Sequence, residues 1–376
     1  MPNKKKIIIL TYDFPPANGG IARLCAEIAS GMHSYYSSVE VITREMAGPN
    51  TGFKLKNFDV KRFSENRGRL ELEIIKYLKS YNPSEVDILC GVWHPEVALA
   101  LLAGHTNIYL LGHGTEFLYA KSLFRKHFWI NIYCKFILKK VKKIITNSHY
   151  TEGLVKNVDL KAQTKVLPLA VDYKFFYPQT KTNTNNKKLR IATLARVLEF
   201  KGYDTIANAI ANIPAEYKNN IEWNIGGTGP YLPELKELVK KLNIEQNVNF
   251  LGYIKDENLT EFYNNNNVFV LCTKESPSST EVEGFGLVFL EAQSCGIPVI
   301  GTKTGGISDA IDNGNGGWLI EQNDFLTLSK MLTEYMDNPD ILTLQGINAR
   351  NRVLASCTFD IYNDKLNEIL RDDRIY

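Results

Sequence analysis

Two glutamates, Glu283 and Glu291, bracket Gly284-Phe285-Gly286 and the apolar run that begins at Leu287. Glycines just ahead of such a run read as a loop that approaches a ligand where a helix starts. A helix start presents free N–H groups and the positive end of its dipole, both suited to a phosphate. Glu283 lies in the loop and Glu291 about a turn inside the helix, so the pair would meet different parts of one elongated ligand. The spacing does not suggest a metal pair. A glycine turn with two solvated glutamates is the plainer alternative, because short motifs match by chance.

The cations supply the next piece of chemistry. Arg196 and Lys201 leave a strand-like run as Arg196-Val197-Leu198-Glu199-Phe200-Lys201-Gly202. A guanidinium fork beside an ammonium can clamp a diphosphate and neutralise charge on a departing phosphate; the alternative is an ordinary surface pair. His113 stands in Leu111-Gly112-His113-Gly114, where a histidine between glycines has little packing to do and faces a ligand or solvent. Gly19 and Gly20 follow Phe14-Pro15-Pro16-Ala17-Asn18, a turn that brings backbone close to a ligand or simply reverses the chain. The cluster Gly226-Gly227-Thr228-Gly229-Pro230 resembles a nucleotide fingerprint only loosely, since Pro230 departs from the glycine spacing.

These groups need strands to carry them. Short β-rich runs occur at Ile7–Thr11, Val39–Thr43, Val60–Phe63, Asp87–Val92, Ile108–Leu111, Ile144–Asn147 and Lys165–Leu169, with helical patterns such as Ala22–Met32 and Leu70–Lys79 between them. The alternation restarts with Arg190–Leu194, Ile221–Ile225, Val248–Leu251, Val268–Leu271, Pro298–Gly301 and Trp318–Ile320. Strands alternating with helices predict α/β architecture, here two doubly wound halves with mainly parallel sheets. Residues 179–188, polar and low in complexity, are the natural linker between domains at 1–178 and 189–358. In open α/β sheets ligands gather at the carboxyl ends of strands, where all the candidate groups fall, and a ligand is expected in the cleft between the halves.

At 376 residues the chain suits two domains, with 44% hydrophobic and 23% charged residues as in ordinary globular proteins. A net charge of +3 is too small to suggest a nucleic-acid partner. Six scattered cysteines without a CxxC argue for reduced thiols in a cytoplasmic setting and against a zinc site or disulfide frame. The amino-terminal apolar run ends at Leu10 and reads as a first strand, not a signal peptide. Between Phe117 and Thr151 there is no acid, while the basic residues from Lys121 to Lys143 interleave with Phe124, Phe128, Trp129, Tyr133 and Phe136. Such a stretch suits an anionic membrane surface, or equally a helix with one basic and one core face.

Taken in order, Asp13-Phe14-Pro15-Pro16 with Gly19-Gly20, His113-Gly114 with Glu116, Asn147-Ser148, Pro168 with Val171-Asp172, Arg196 with Lys201-Gly202, Gly226-Gly227-Thr228-Gly229, and Glu283 with Glu291 span nearly the whole chain. In this series the chain resembles the retaining, sugar-nucleotide-dependent glycosyltransferases of family 4, with the GT-B fold of two Rossmann-like domains. It looks most similar to bacterial GDP-mannose-dependent phosphatidylinositol mannosyltransferases. The resemblance implies a hexosyltransferase of cell-surface glycan synthesis that needs no metal or other cofactor, with a nucleotide sugar, GDP-mannose favoured, as donor and a lipid-linked or glycan acceptor. By the same likeness Gly19, Gly20, Arg196 and Lys201 would hold the diphosphate. Glu283 with Gly284, Phe285, Gly286 and Leu287 would hold the donor sugar, Glu291 the ribose, and Tyr253 and Ile254 the base. Gly227 would lie in the donor site and His113 near the reacting centre. Relatives return a carboxyl-terminal helix, here 359–376, to the first domain. UDP-sugar transfer, epimerisation and a non-catalytic binding scaffold are the alternatives.

Overall fold

The structure, a computed structural model, describes residues 5–17, 19–46, 57–118, 125–179, 188–275 and 281–372. The chain divides into two compact units, Met1–Pro168 with Phe359–Tyr376, and Leu169–Thr358. Residues 169–178, expected in the first unit, therefore belong to the second. The reason is local: Val171 N–H bonds to the Cys357 carbonyl, and Arg350 donates to the carbonyls of Tyr173 and Phe176. Of the expected linker, residues 180–187 lie outside the described residues.

Among the described residues the first unit holds seven parallel strands: β1 (Lys6–Leu10), β2 (Ser38–Arg44), β3 (Asp59–Phe63), β4 (Val86–Cys90), β5 (Ile108–Gly112), β6 (Lys143–Thr146) and β7 (Thr164–Val166). Their order is β3-β2-β1-β4-β5-β6-β7. Runs such as Ile7–Leu10 and Val86–Cys90 are buried throughout because helices cover both faces of a parallel sheet, whereas the edge strand β3 alternates. Ile8 pairs with Glu40 on one side and Ile88 on the other, so the order of strands reverses between β1 and β4. That is the switch point at which an open sheet leaves a crevice for a ligand.

The second unit repeats the plan with β8 (Leu189–Leu194), β9 (Ile221–Gly226), β10 (Val248–Gly252), β11 (Val268–Leu271), β12 (Val299–Thr302) and β13 (Gly317–Ile320), ordered β10-β9-β8-β11-β12-β13. Here the reversal falls between β8 and β11. Trp223, Tyr203, Ile191, Val270 and Ile300 are buried in its core, and each large aliphatic side chain so enclosed contributes about 1.5–3 kcal/mol.

Two sequence boundaries shift for physical reasons. The predicted strand Asp87–Val92 ends at Cys90, because Gly91 and Val92 turn their peptide toward other partners described below. Lys165–Leu169 shortens to Thr164–Val166, ahead of Pro168, which has no N–H to continue a ladder. The helix Phe359–Arg371 buries Tyr362, Leu366 and Leu370 within the first unit, where Tyr109 donates to the Leu370 carbonyl at 3.2 Å. All six cysteines are free and buried.

Candidate active site

In the second unit the candidate groups stand at the β8/β11 switch point. After β8 the chain runs through Arg196 and a short turn, Glu199–Lys201, into the helix Tyr203–Ala211. Gly202 joins turn and helix at φ +71, and a Cβ there would stand 1.6 Å from the Cys272 carbonyl oxygen. No other residue fits that backbone against the end of β11. The same seam is tied by Lys274, whose N–H bonds to the Phe200 carbonyl at 2.6 Å and whose ammonium pairs with Asp204.

Lys201 is thereby aimed at Glu283. Its Nζ lies 2.5 Å from Glu283 Oε2, with the two side chains only 13% and 18% exposed, and the ammonium sits 4.9 Å from the centre of the Phe200 ring. Two residues separated by 82 positions, assigned on sequence to diphosphate and sugar, are direct partners in this structure. Arg196 by contrast is exposed, and its guanidinium has no hydrogen-bond or ion-pair partner among the described residues.

Glu283 is held from behind by Gly306, whose N–H donates to its carbonyl at 2.8 Å. Phe285 is buried, and Gly286, in the left-handed region, opens the helix Leu287–Ser294 without a side-chain cap. The first-turn amides of that helix carry the partial positive charge of a helix start. Glu291, on the same helix, accepts the Tyr263 hydroxyl at 2.7 Å. Tyr263 is fully buried, and burial together with the Glu291 charge pushes its phenol well above the usual range.

The glycine cluster after β9 is packed closely into the fold. Gly227 N–H donates to the Gly252 carbonyl at 2.6 Å, and a Cβ on Gly227 would meet the Ala195 carbonyl oxygen at 1.9 Å. Its amide is thus engaged inside the fold, and its lack of a side chain leaves clearance for the loop that carries Arg196. Tyr253 and Ile254 follow β10; Tyr253 is 70% exposed, while Ile254 is half-buried over Gly226.

The remaining candidates belong to the first unit. Gly19 precedes the helix Gly20–Met32, whose start has no side-chain cap and no acidic residue in its first turn. Asn18 lies outside the described residues. His113 follows β5. Its Nε2 lies 2.8 Å from the Gly91 carbonyl oxygen, its N–H donates to Glu116 Oε1 at 2.6 Å, and its own carbonyl accepts from Asn147 Nδ2 at 3.1 Å. Because a carbonyl only accepts, the ring carries its proton on Nε2 in this contact.

Sequence reasoning missed two residues that the fold ties to these groups, one directly and one through a backbone peptide. Tyr263 holds Glu291, and its only signal was an aromatic in a helical pattern. Glu96, 1% exposed, accepts from Tyr12 N–H at 2.9 Å and Val92 N–H at 2.7 Å. Burial pushes its carboxyl up to about 8, against the opposing pull of its amide donors. An isolated acid in the apolar run after β4, Val92-Trp93-His94-Pro95-Glu96-Val97, was the available sign.

Residues 178–352 match the family model described as Glycosyl transferases group 1. A GDP-mannose-dependent monoacylated alpha-(1-6)-phosphatidylinositol monomannoside mannosyltransferase of Corynebacterium glutamicum is 26% identical, over 99% of this chain and 100% of its own. The N-acetyl-alpha-D-glucosaminyl L-malate synthase of Bacillus anthracis is 29% identical over 60% of this chain and 58% of its own. Among solved structures, Anabaena HepE in complex with UDP and glucose superposes with a TM-score of 0.77 at 17% identity, covering 98% of this chain and all of that one.

Proposed function

We propose that this GT-B glycosyltransferase, whose residues 178–352 form a group 1 domain, moves mannose from GDP-mannose to a lipid-linked or glycan acceptor. The observation that carries the chemistry is the Lys201–Glu283 pair, together with the exposed Arg196 that leads into the same turn. When a nucleoside diphosphate sugar enters, its diphosphate competes with Glu283 for Lys201. Glu283 is then released to accept hydroxyls of the sugar, and Arg196 gains the anion it otherwise lacks. As the anomeric C–O bond breaks, the electron pair passes to the leaving diphosphate. Lys201, Arg196 and the amides at Gly286 and Leu287 stabilise that charge without a metal. The acceptor hydroxyl attacks from the face the diphosphate leaves and gives its proton to a leaving phosphate oxygen. Configuration is retained, and no protein nucleophile is needed. Glu291, fixed by Tyr263, takes the ribose; Tyr253 and Ile254 flank the base; Gly19 and Gly20 offer helix-start amides; His113 stands near the reacting sugar.

The full-length relative supports mannose and GDP; the Bacillus relative, named for an N-acetylglucosaminyl group, motivates a different sugar, and the UDP-bound neighbour motivates the second reading, transfer from a UDP-sugar. Purified protein incubated with GDP-mannose, UDP-glucose and UDP-N-acetylglucosamine, with and without chelator, distinguishes them. Turnover of GDP-mannose alone, unaffected by chelator and giving an α-linked product, is the expected result. A free epimer without acceptor would favour an epimerase, and nucleotide binding without any turnover a scaffold.

We also propose that the first unit meets an anionic membrane. On the helical stretch Arg125–Cys134 and Lys135–Leu138, Phe128, Ile132 and Phe136 are 51%, 52% and 57% exposed on one ridge, while Ile130, Cys134 and Ile137 are buried on the other. Lys135, Lys139 and Lys140 flank the ridge, with the Lys140 ammonium 5.8 Å from the Phe136 ring centre. Residues 119–124, including Lys121, lie outside the described residues. Among the described residues no helix is long and apolar enough to cross a membrane.

A further inference from the structure

At the first unit's switch point a single peptide group connects two side chains that do not touch. The peptide joining Gly91 to Val92 presents its carbonyl to His113 Nε2 at 2.8 Å and its N–H to Glu96 Oε2 at 2.7 Å. The other oxygen of Glu96 takes the Tyr12 N–H at 2.9 Å, at the end of β1. We infer that Glu96 is a positioning residue for His113, acting through the 91–92 peptide to fix the ring's orientation and its Nε2–H tautomer.

Three features require this of Glu96. The carboxyl is 1% exposed, so its bonds are not shared with bulk water and an unmade one has no substitute. Both of its oxygens are occupied by backbone donors from the loops that follow two different strands, β1 and β4, so it sets the separation of the two loops that open the crevice. Gly91 is locked from a third side, its N–H donating to the Leu10 carbonyl at 2.9 Å, which leaves rotation of the 91–92 peptide as the freedom that Glu96 removes. With the peptide fixed, its carbonyl points at His113 and only a ring protonated on Nε2 completes the bond. Nδ1 is then the atom left with a lone pair. A hydrogen-bond acceptor that orients a functional histidine commonly controls its tautomer in this way. Here the control passes through one peptide plane rather than directly.

The inference rests on the proposed place of His113 in transfer, so the test reads the ring and the reaction separately. Full-length protein is labelled with 15N-histidine, His113 is assigned by comparison with His113→Gln, and its tautomer is read from two-bond 15N–1H couplings. Wild type shows Nε2–H. Glu96→Gln, which sets a donor-only amide nitrogen against one of the two backbone N–H groups, and Glu96→Asp, which withdraws the carboxyl, each yield a tautomer mixture at His113 while melting as a single transition. Sugar transfer falls on the order of 10-fold or more, the size of loss seen when a histidine's orienting partner is removed. An Nδ1–H ring in wild type overturns the inference by itself, even if neither variant folds. So does a His113 spectrum unchanged in either folded variant. A changed tautomer with an unchanged transfer rate leaves the positioning role standing and removes His113 from the reaction.

Discussion

The two switch points hold their functional groups by opposite means. In the second unit, at β8 and β11, the groups are charged and satisfy one another: Lys201 with Glu283, Lys274 with Asp204. In the first, at β1 and β4, the central side chain is held by backbone: His113 by the Gly91 carbonyl, and that peptide by Glu96. A charged pair can exchange its partner for a ligand of the same sign at modest cost, because one strong interaction replaces another. A ring held by a peptide is set before any ligand arrives and has no partner to give up. On the proposed function, the charged site suits binding and release of an anion, and the backbone-held one suits presentation of a fixed geometry.

Breaking the charged half gives the largest effect. Lys201→Met is expected to lower kcat by roughly 100- to 1,000-fold, the range for removing one donor to a developing anion, with a smaller change in donor KM. Steady-state kinetics check it, and unchanged kcat at saturating donor would remove the role in leaving-group stabilisation. Glu283→Gln keeps a hydrogen-bonding side chain but releases Lys201 from its ion pair. Nucleoside diphosphate alone should then bind more tightly, by about 5-fold, while transfer falls by more than that; calorimetry of GDP binding with no gain in affinity would contradict the exchange of partners.

The backbone that aims these charges is tested through stability. Gly202→Ala forces a side chain into left-handed backbone, which alone costs about 1–2 kcal/mol, and against the Cys272 carbonyl. A lowered melting temperature is the expected outcome, and a variant that melts like wild type would contradict the seam between that turn and β11.

The first unit offers a pH signature. Burial raises the Glu96 carboxyl from 4.5 to about 8, so over that interval the folded chain keeps a proton that the unfolded chain has released. Stability contributed by this group is full below pH 4.5 and declines as pH rises toward 8. Denaturation of wild type and Glu96→Gln across that range should show a difference that shrinks the slope in the variant; parallel curves would contradict the burial of an ionisable acid. The smallest effect is at the surface. Phe128→Ser with Phe136→Ser should leave transfer to a soluble acceptor unchanged and weaken sedimentation with vesicles of mixed phosphatidylglycerol and phosphatidylcholine, and equal sedimentation would remove the membrane contact.

The amino-acid sequence by itself determined the architecture and the inventory of candidate groups. Strand-length apolar runs separated by helical patterns are local signals, and Ile7–Leu10 or Val268–Leu271 are buried on both faces as such runs must be in a parallel sheet. The order of strands, and with it the position of the switch points, is not local and needed the tertiary structure. So did partnership. Lys201 and Glu283 each stood out as a candidate ligand group, yet nothing in their separate surroundings says that they meet, because the contact is made between the loops that follow two neighbouring strands. Gly227 stood out only as one member of a glycine cluster, and the packing of its loop on Ala195 shows the clearance it supplies. Glu96 shows the same limit most sharply. Its sequence context is an acid in an apolar run, and its meaning lies in two backbone N–H groups, one of them 84 residues away, whose directions only the folded chain fixes.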